Sequence, residues 1–238
     1  MPPLLAANPL ENFSALTLAC LLAWILSVCL HEFAHALVAF LGGDRSVAQR
    51  GYLSLDPTRY IDPVMTLLIP AVVLLLGGLP LPGGAVLIDR SRLRSRRWET
   101  AVSAAGPAAN LLLCLLIVIV MHPRLGLVDH DAADQPNWVL FLGAMGLLQF
   151  YAVLLNLLPI PPLDGFGLIE HRLDPETRWR MRQPRTGMMC LAILFFILWA
   201  VPGAGGLILR AFAVFTEYFG VPPGVFLDGY LAAFYGER

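Results

Sequence analysis

The chain of 238 residues has the composition of a protein whose main solvent is a lipid bilayer. Hydrophobic residues make up 58% of it and charged residues only 14%, whereas soluble domains average about 25% charged residues. The formal net charge of −1 provides no broad basic surface, so a nucleic-acid partner is not expected. The length and a mean hydropathy of +0.70 predict one helical membrane domain with short connections.

Six apolar segments follow one another along the chain, at residues 14–41, 64–80, 100–121, 138–158, 188–202 and 204–220. A helix needs about 20 apolar residues to cross a bilayer, so the first, third and fourth segments predict membrane-spanning helices. The last two meet at Pro202-Gly203, which predicts a helical hairpin with a tight turn. The polar stretch after the first segment alternates at residues 52–55, which predicts a short β-strand, although an ordinary surface loop fits these residues equally well.

The first apolar segment contains the sequence His-Glu-Phe-Ala-His at residues 31–35. Residues four apart lie on one face of a helix, so His31 and His35 can bind the same metal ion. Glu32 is adjacent and can act as a general base on water. Because ionisable groups are costly inside an apolar helix, a metal site is favoured over two hydrogen-bonded core histidines.

A third ligand is predicted in the stretch that follows the fourth apolar segment. Two histidines and one carboxylate can hold catalytic zinc and leave one coordination position open. Asp164 comes after three prolines that end the helix, and Gly165 permits a sharp turn directly behind it. Asp164 is therefore one candidate for the third ligand, although taken alone the favoured interpretation is an acidic turn residue in a loop that leaves the membrane.

The distribution of arginine predicts how the helices cross the membrane. The positive-inside rule places the basic stretches 90–97 and 172–185 in the cytoplasm and the acidic connection 122–137 outside. His31 lies roughly 26 Å along the first helix at 1.5 Å per residue, so it shares the depth of Asp164 only if this helix also runs inward. Segment 64–80 is then predicted to re-enter the membrane without crossing it, which leaves five spans and an active site towards the cytoplasmic side.

Taken together, these motifs resemble the site-2 protease family of intramembrane zinc metalloproteases, in its compact bacterial type without a PDZ domain. The family pairs a His-Glu-x-x-His helix with a later Asn-x-x-Pro-x-x-x-Leu-Asp-Gly element, and both are intact here, at residues 31–35 and 156–165. The stretch from Gly106 to Asn110 is similar to the family's Gly-x-x-x-Asn segment. Phe166 is a departure, because many members have a second glycine at that place.

The resemblance implies a fold and a set of site residues. The expected fold is an all-α polytopic membrane protein, a helical bundle with a short β element and a re-entrant segment near the active site. His31, His35 and Asp164 are implied as the zinc ligands, with Glu32 as the catalytic base. Two asparagines are implied as substrate-binding residues: Asn156, which would orient the substrate or steady the ligand loop, and less directly Asn110. For each asparagine the alternative is a hydrogen bond between helices.

The expected function is the hydrolysis of peptide bonds in or near transmembrane segments of membrane proteins, in a bacterial cell membrane. The expected partners are the substrate protein and the lipid bilayer, with no nucleic acid, and a homo-oligomer stays open. Residues 1–170 are predicted to form the catalytic membrane core, and residues 171–238 a basic cytoplasmic loop and the C-terminal hairpin. Two alternatives are a membrane protein that binds metal without cleaving anything and a metal transporter. The retention of Glu32 and the clustering of polar groups at one depth disfavour both.

Overall fold

The computed structural model describes residues 13–59, 86–132, 134–201 and 203–236. These residues are mostly helical, and four short 3₁₀ turns accompany the helices. In chain order the helices are α1 (Ala15–Gly42), α2 (Ser46–Gln49), α3 (Arg96–Val120), α4 (Asn137–Asn156), α5 (Asp164–Ile169), α6 (Pro175–Met181), α7 (Pro184–Ala200), α8 (Ala204–Tyr218) and α9 (Gly224–Phe234).

Three of these helices, α1, α3 and α4, are long and apolar enough to cross a membrane by length and composition. They coincide with the first, third and fourth apolar segments, so the prediction of three long helices is confirmed. Helices α7 and α8 lie at the last two segments but have only 17 and 15 residues. The predicted re-entrant segment 64–80 lies outside the described residues.

The first helix begins at a capping box. The Ser14 hydroxyl accepts a hydrogen bond from the Thr17 backbone N–H, and the Thr17 hydroxyl accepts one from the Ser14 N–H. These two bonds satisfy donors that a helix start leaves unpaired. The same Thr17 hydroxyl donates to the Ala233 carbonyl at 2.6 Å, which fastens the start of α1 to the end of α9.

The main hydrophobic core lies between α1, α3, α4 and α9, with Phe212 of α8 packed on its side. Two glycines allow α4 and α9 to approach closely. A Cβ atom on Gly143 would lie 2.6 Å from the Val225 carbonyl oxygen, and one on Gly229 would lie 2.2 Å from the Leu140 carbonyl oxygen. Small residues at such crossings let helix backbones touch, as is common between membrane helices.

Helix α9 is absent from the sequence-based prediction, which places its last apolar segment at 204–220. The helix has 11 residues, about half the length that a membrane span requires. A search for spans therefore passes over it. Its buried side chains, among them Val225, Phe226 and Tyr230, nevertheless belong to the main core.

The predicted short strand at residues 52–55 is wrong. The Tyr52 N–H donates to the Val47 carbonyl at 2.9 Å, so this backbone group closes the turn after α2 and does not pair with a neighbouring strand. The Tyr52 side chain is buried with Val47 in a small cluster against α1 and α3. Leu53 also packs against this cluster, so successive side chains do not alternate between two faces, and no strand occurs in the described ranges.

The chain between α1 and α3 leaves and returns at the same end of the bundle. The Arg94 N–H donates to the Gly42 carbonyl at 2.9 Å, and the Asp89 N–H donates to the buried Asp44 carboxylate at 2.7 Å. We call this pair of bonds the neck. Gly43 supplies the turn, with a φ of 120° that residues with a side chain rarely adopt.

Candidate metal centre

Three side chains from α1 and α5 converge on one point. The Nε2 atoms of His31 and His35 lie 3.0 Å apart. Asp164 places Oδ2 3.1 Å from His31 Nε2 and Oδ1 3.3 Å from His35 Nε2. Two ligands about 2.05 Å from a tetrahedral zinc ion lie about 3.3 Å apart, so these separations fit one zinc ion. The predicted ligands are therefore together in space, and they form a group that could hold a metal.

The second ring nitrogen of each histidine is engaged away from this point. His35 Nδ1 lies 2.6 Å from the Val102 carbonyl oxygen, which can only accept, so Nδ1 carries the proton. His31 Nδ1 lies 2.7 Å from Asn110 Oδ1, which is likewise an acceptor. In neutral imidazoles this leaves both Nε2 atoms as bare lone pairs that face each other and a carboxylate. Such a set of donors suits a cation, and outer hydrogen bonds of this kind orient histidine ligands.

Gly106 of α3 makes room for the two histidines. A Cβ atom at this position would lie 2.3 Å from His31 Nε2 and 2.3 Å from His35 Nε2, far inside van der Waals contact. The backbone of α3 therefore lies directly against the two metal-facing nitrogens. This contact explains in steric terms why the glycine stands one helical turn before Asn110.

Asp164 is presented by the loop that joins α4 to α5. A Cβ atom on Gly165 would lie 2.3 Å from the Leu157 carbonyl oxygen, so the loop folds back closely on the end of α4. One oxygen of the Asp164 carboxyl faces each histidine, Oδ2 towards His31 and Oδ1 towards His35. A carboxylate is the form of this side chain that binds a metal.

Glu32 lies one residue beyond His31 and is 6% exposed. Its Oε2 accepts a hydrogen bond from the Val86 backbone N–H at 3.0 Å. Among the described residues no hydrogen bond or ion pair engages the other oxygen of this carboxyl.

The two predicted asparagines have different surroundings. Asn110 is 3% exposed, and both ends of its amide are engaged: Oδ1 with His31, and Nδ2 as a donor to Gln149 Oε1 at 2.9 Å. Asn156 is the last residue of α4 and is also buried. Gln149 was missed by the sequence analysis, although a polar residue inside an apolar segment is a recognisable signal.

A cavity of about 700 Å³ opens beside Asp164. Among its lining residues is Glu170, whose side chain is 4% exposed and binds the guanidinium groups of Arg90 and Arg182. Burial alone would raise the pKa of the Glu170 carboxyl, but the hydrogen bonds from Arg182 and the charge of Arg90 outweigh it and lower the pKa. We call Arg90, Glu170 and Arg182 the ion cluster. It links the turn before α3 to the end of α5 and to the connection between α6 and α7.

Fold and site together define a helical protein with three helices that could span a membrane and a two-histidine, one-carboxylate group that could hold a metal. Curated bacterial relatives carry names that describe them as zinc metalloproteases. The chain is 44% identical over 157 residues to Rip2 of Mycolicibacterium smegmatis, covering 65% of this chain and 57% of that protein. It is 39% identical over 176 residues to Rip2 of Mycobacterium tuberculosis, covering 73% and 64%, and thus spans about three fifths of the length of the Rip2 proteins.

The match to YwhC of Bacillus subtilis extends over most of that relative. It reaches 33% identity over 195 residues and covers 76% of this chain and 84% of YwhC. The chain therefore belongs to the zinc metalloprotease family of Rip2 and YwhC. Zinc is the metal that this family implies, and His31, His35 and Asp164 are the group that could hold one ion. No family model and no solved structure matches the chain.

Proposed function

We propose that this protein is an intramembrane metalloprotease that hydrolyses peptide bonds in or near the transmembrane segments of other membrane proteins. The observation that carries the proposal is the position of the metal centre. His31 and His35 lie in α1, a helix long and apolar enough to cross a membrane, and they are only 7% and 6% exposed. A substrate that reaches them must itself enter this apolar surrounding.

The residues around the metal centre divide the chemistry between them. Zinc, when bound, polarises the scissile carbonyl and makes water more acidic. Glu32 takes the proton from the attacking water and delivers it to the leaving amine, so one water is consumed and one acid and one amine result. Asn110 and Val102 hold the histidine rings in place, and Asp164 supplies the negative charge of the site.

The cavity beside Asp164 supports access for a polypeptide from one end of the bundle. Its lining combines apolar groups, such as Pro162 and Met188, with the polar cluster around Glu170. An extended segment with mixed side chains fits such a lining. We propose that the residues flanking the scissile bond lie in this cavity and that water reaches the centre through it, since a bilayer core offers none.

We further propose that this end of the bundle faces the cytoplasm. Arg90 and Arg182 meet there on Glu170, whereas the connection at the other end of α3 carries Asp129 and Asp131. The positive-inside rule supports this orientation. The neck supports the re-entrant proposal, because it ties both ends of residues 43–93 to one end of the bundle. We include in this proposal that the membrane is that of a bacterial cell and that the substrates are membrane proteins.

The decisive experiment compares the wild-type protein with Glu32→Gln in proteoliposomes that contain a single-span model substrate. We expect Glu32→Gln to abolish cleavage while its zinc content stays at one ion per chain. Glu217→Gln, the same substitution at an exposed residue near the end of α8, serves as the matched control and should cleave normally. Wild-type protein that binds zinc and cuts no membrane substrate would instead support a metal-binding protein without protease activity.

Sidedness is tested by cysteine labelling in a background from which the native cysteines have been removed. At the neck end the positions to label are Ala48 and Ser91, because both are exposed. The nearby Ser46 is buried and therefore unsuitable. Asp131 is the position to label at the other end. We expect Ala48→Cys and Ser91→Cys to react from the cytoplasmic side and Asp131→Cys from outside. Labelling of Ala48→Cys and Ser91→Cys from opposite sides would overturn the re-entrant proposal.

A further inference from the structure

A buried chain of three polar side chains crosses the bundle behind the metal centre. It runs from His31 in α1 through Asn110 in α3 to Gln149 in α4, with contacts of 2.7 Å and 2.9 Å. The three residues are 7%, 3% and 1% exposed. A polar group buried this deeply is costly unless it is paired, so the chain requires an explanation beyond packing.

We propose that Gln149 is a positioning residue for the metal centre and that it acts through Asn110. The inference rests on the proposed metal site but not on the cleavage of a substrate. An asparagine amide can present either its oxygen or its nitrogen to a neighbour. His31 can offer Nε2 to a metal only as the tautomer that carries its proton on Nδ1, and this tautomer needs the oxygen of Asn110 beside it.

Gln149 selects that orientation. In the structure Gln149 presents its Oε1, which can only accept, to Asn110 Nδ2, and this contact favours the orientation in which Asn110 Oδ1 faces His31. Without this acceptor the amide of Asn110 loses the reason to keep its oxygen on the histidine side. Nε2 of Gln149 is buried and finds no partner among the described residues. One end of the Gln149 side chain therefore carries the cost of an unpaired buried donor, while its other end orients the Asn110 amide.

The hydrogen bonds that run from Gln149 through Asn110 to His31 have a counterpart at the second histidine. His35 has its proton fixed on Nδ1 by the Val102 carbonyl, a backbone group with only one possible role. His31 has a side-chain amide instead, which can turn. Orienting that amide therefore falls to a third residue, and Gln149 is the described residue that contacts its far end.

Two substitutions at one position separate the acceptor from the packing. Gln149→Met keeps the length and flexibility of the side chain and removes the acceptor, whereas Gln149→Glu keeps the acceptor. We expect Gln149→Met to lower zinc affinity about fivefold, as suits one neutral hydrogen bond, and Gln149→Glu to retain it. Asn110→Leu should lower the affinity about 10- to 100-fold, the usual effect of losing an outer partner of a metal-bound histidine. Met145→Leu, one turn earlier in α4, controls for repacking.

The measurements are zinc affinity by chelator competition and the ¹⁵N spectrum of labelled histidine, which reports the tautomer of His31. In the Asn110→Leu background, Gln149→Met should have no further effect on affinity, because Gln149 acts through Asn110. Wild-type affinity and an unchanged His31 tautomer in Gln149→Met would overturn the inference, and so would an equal loss in both backgrounds. If the variants behave as expected but the wild-type protein cleaves no membrane substrate, the proposed protease function is refuted and the inference about Gln149 stands.

Discussion

The contact between Gly106 and the two histidines leads to a sharp prediction for Gly106→Ala. The added Cβ would lie 2.3 Å from both Nε2 atoms, and ordinary contact begins at 3.4 Å. Either α3 or the imidazole rings must therefore move by about 1.1 Å. A zinc site tolerates deviations of about 0.2 Å in its ligand distances, so the substitution should disrupt coordination by both histidines at once.

The expected loss can be expressed as a change in zinc-dependent stability. At a zinc concentration 100 times the dissociation constant, bound metal stabilises the folded state by about 2.7 kcal/mol. If Gly106→Ala weakens binding about 100-fold, the same zinc concentration contributes only about 0.4 kcal/mol. In the absence of zinc the variant should gain about 1 kcal/mol from helix propensity and lose about 1–3 kcal/mol from overpacking against the histidines. The quantity to compare is therefore the stabilisation that zinc adds to each protein.

The assay is thermal unfolding in detergent with and without zinc, together with chelator competition. Gly206→Ala is the matched control, since it is the same substitution in a helix where a Cβ meets nothing within 4 Å. The control should keep the full zinc-dependent stabilisation. If Gly106→Ala binds zinc with wild-type affinity, the three donors do not form the metal site in the described geometry.

Three further predictions concern the metal, the ion cluster and the helix crossing. Chelation of zinc should lower the melting temperature of the wild type and leave that of Asp164→Ala unchanged; an equal decrease in both would place the metal elsewhere. The lowered pKa of Glu170 means that its ion cluster contributes stability above the ordinary pKa of 4.5 and loses it as the pH falls through the folded-state value. Glu170→Gln should therefore be about 1–3 kcal/mol less stable than the wild type at pH 7, with a difference that shrinks below about pH 4.5 in urea titrations; a difference independent of pH would contradict this. Gly229→Ala should lower the free energy of unfolding by about 1–3 kcal/mol through overpacking against α4, whereas Gly224→Ala, where a Cβ meets nothing within 4 Å, should not.

The convergence of His31, His35 and Asp164 could be predicted because short sequence patterns indicate it. His31 and His35 are four residues apart on an apolar helix, and Asp164 follows a proline-rich helix end, so each feature is local in the sequence. The structure adds what local patterns cannot contain. The Val102 carbonyl beside His35 is a backbone group, and its role depends on how α1 and α3 cross.

The residues that sequence analysis missed have long-range partners. Glu170 looks like an ordinary acidic residue until the fold brings Arg90 and Arg182 to it from positions 80 residues before and 12 residues after. Helix α9 was overlooked because its burial comes from packing on α4, and span length was the criterion for apolar segments. The prediction of a strand at residues 52–55 was wrong because it rested on a local alternation of side chains, and no partner strand in the described residues pairs with it.

The neck has an evolutionary consequence. Since two hydrogen bonds close the 43–93 excursion at its base, additions or deletions inside it need not alter the spacing between α1 and α3, which is set by Gly106 against the histidines. Loop length has a small entropic effect once the ends are joined. A change of length within residues 43–93 can therefore leave the two histidines in place, provided that Val86 keeps its hydrogen bond to Glu32.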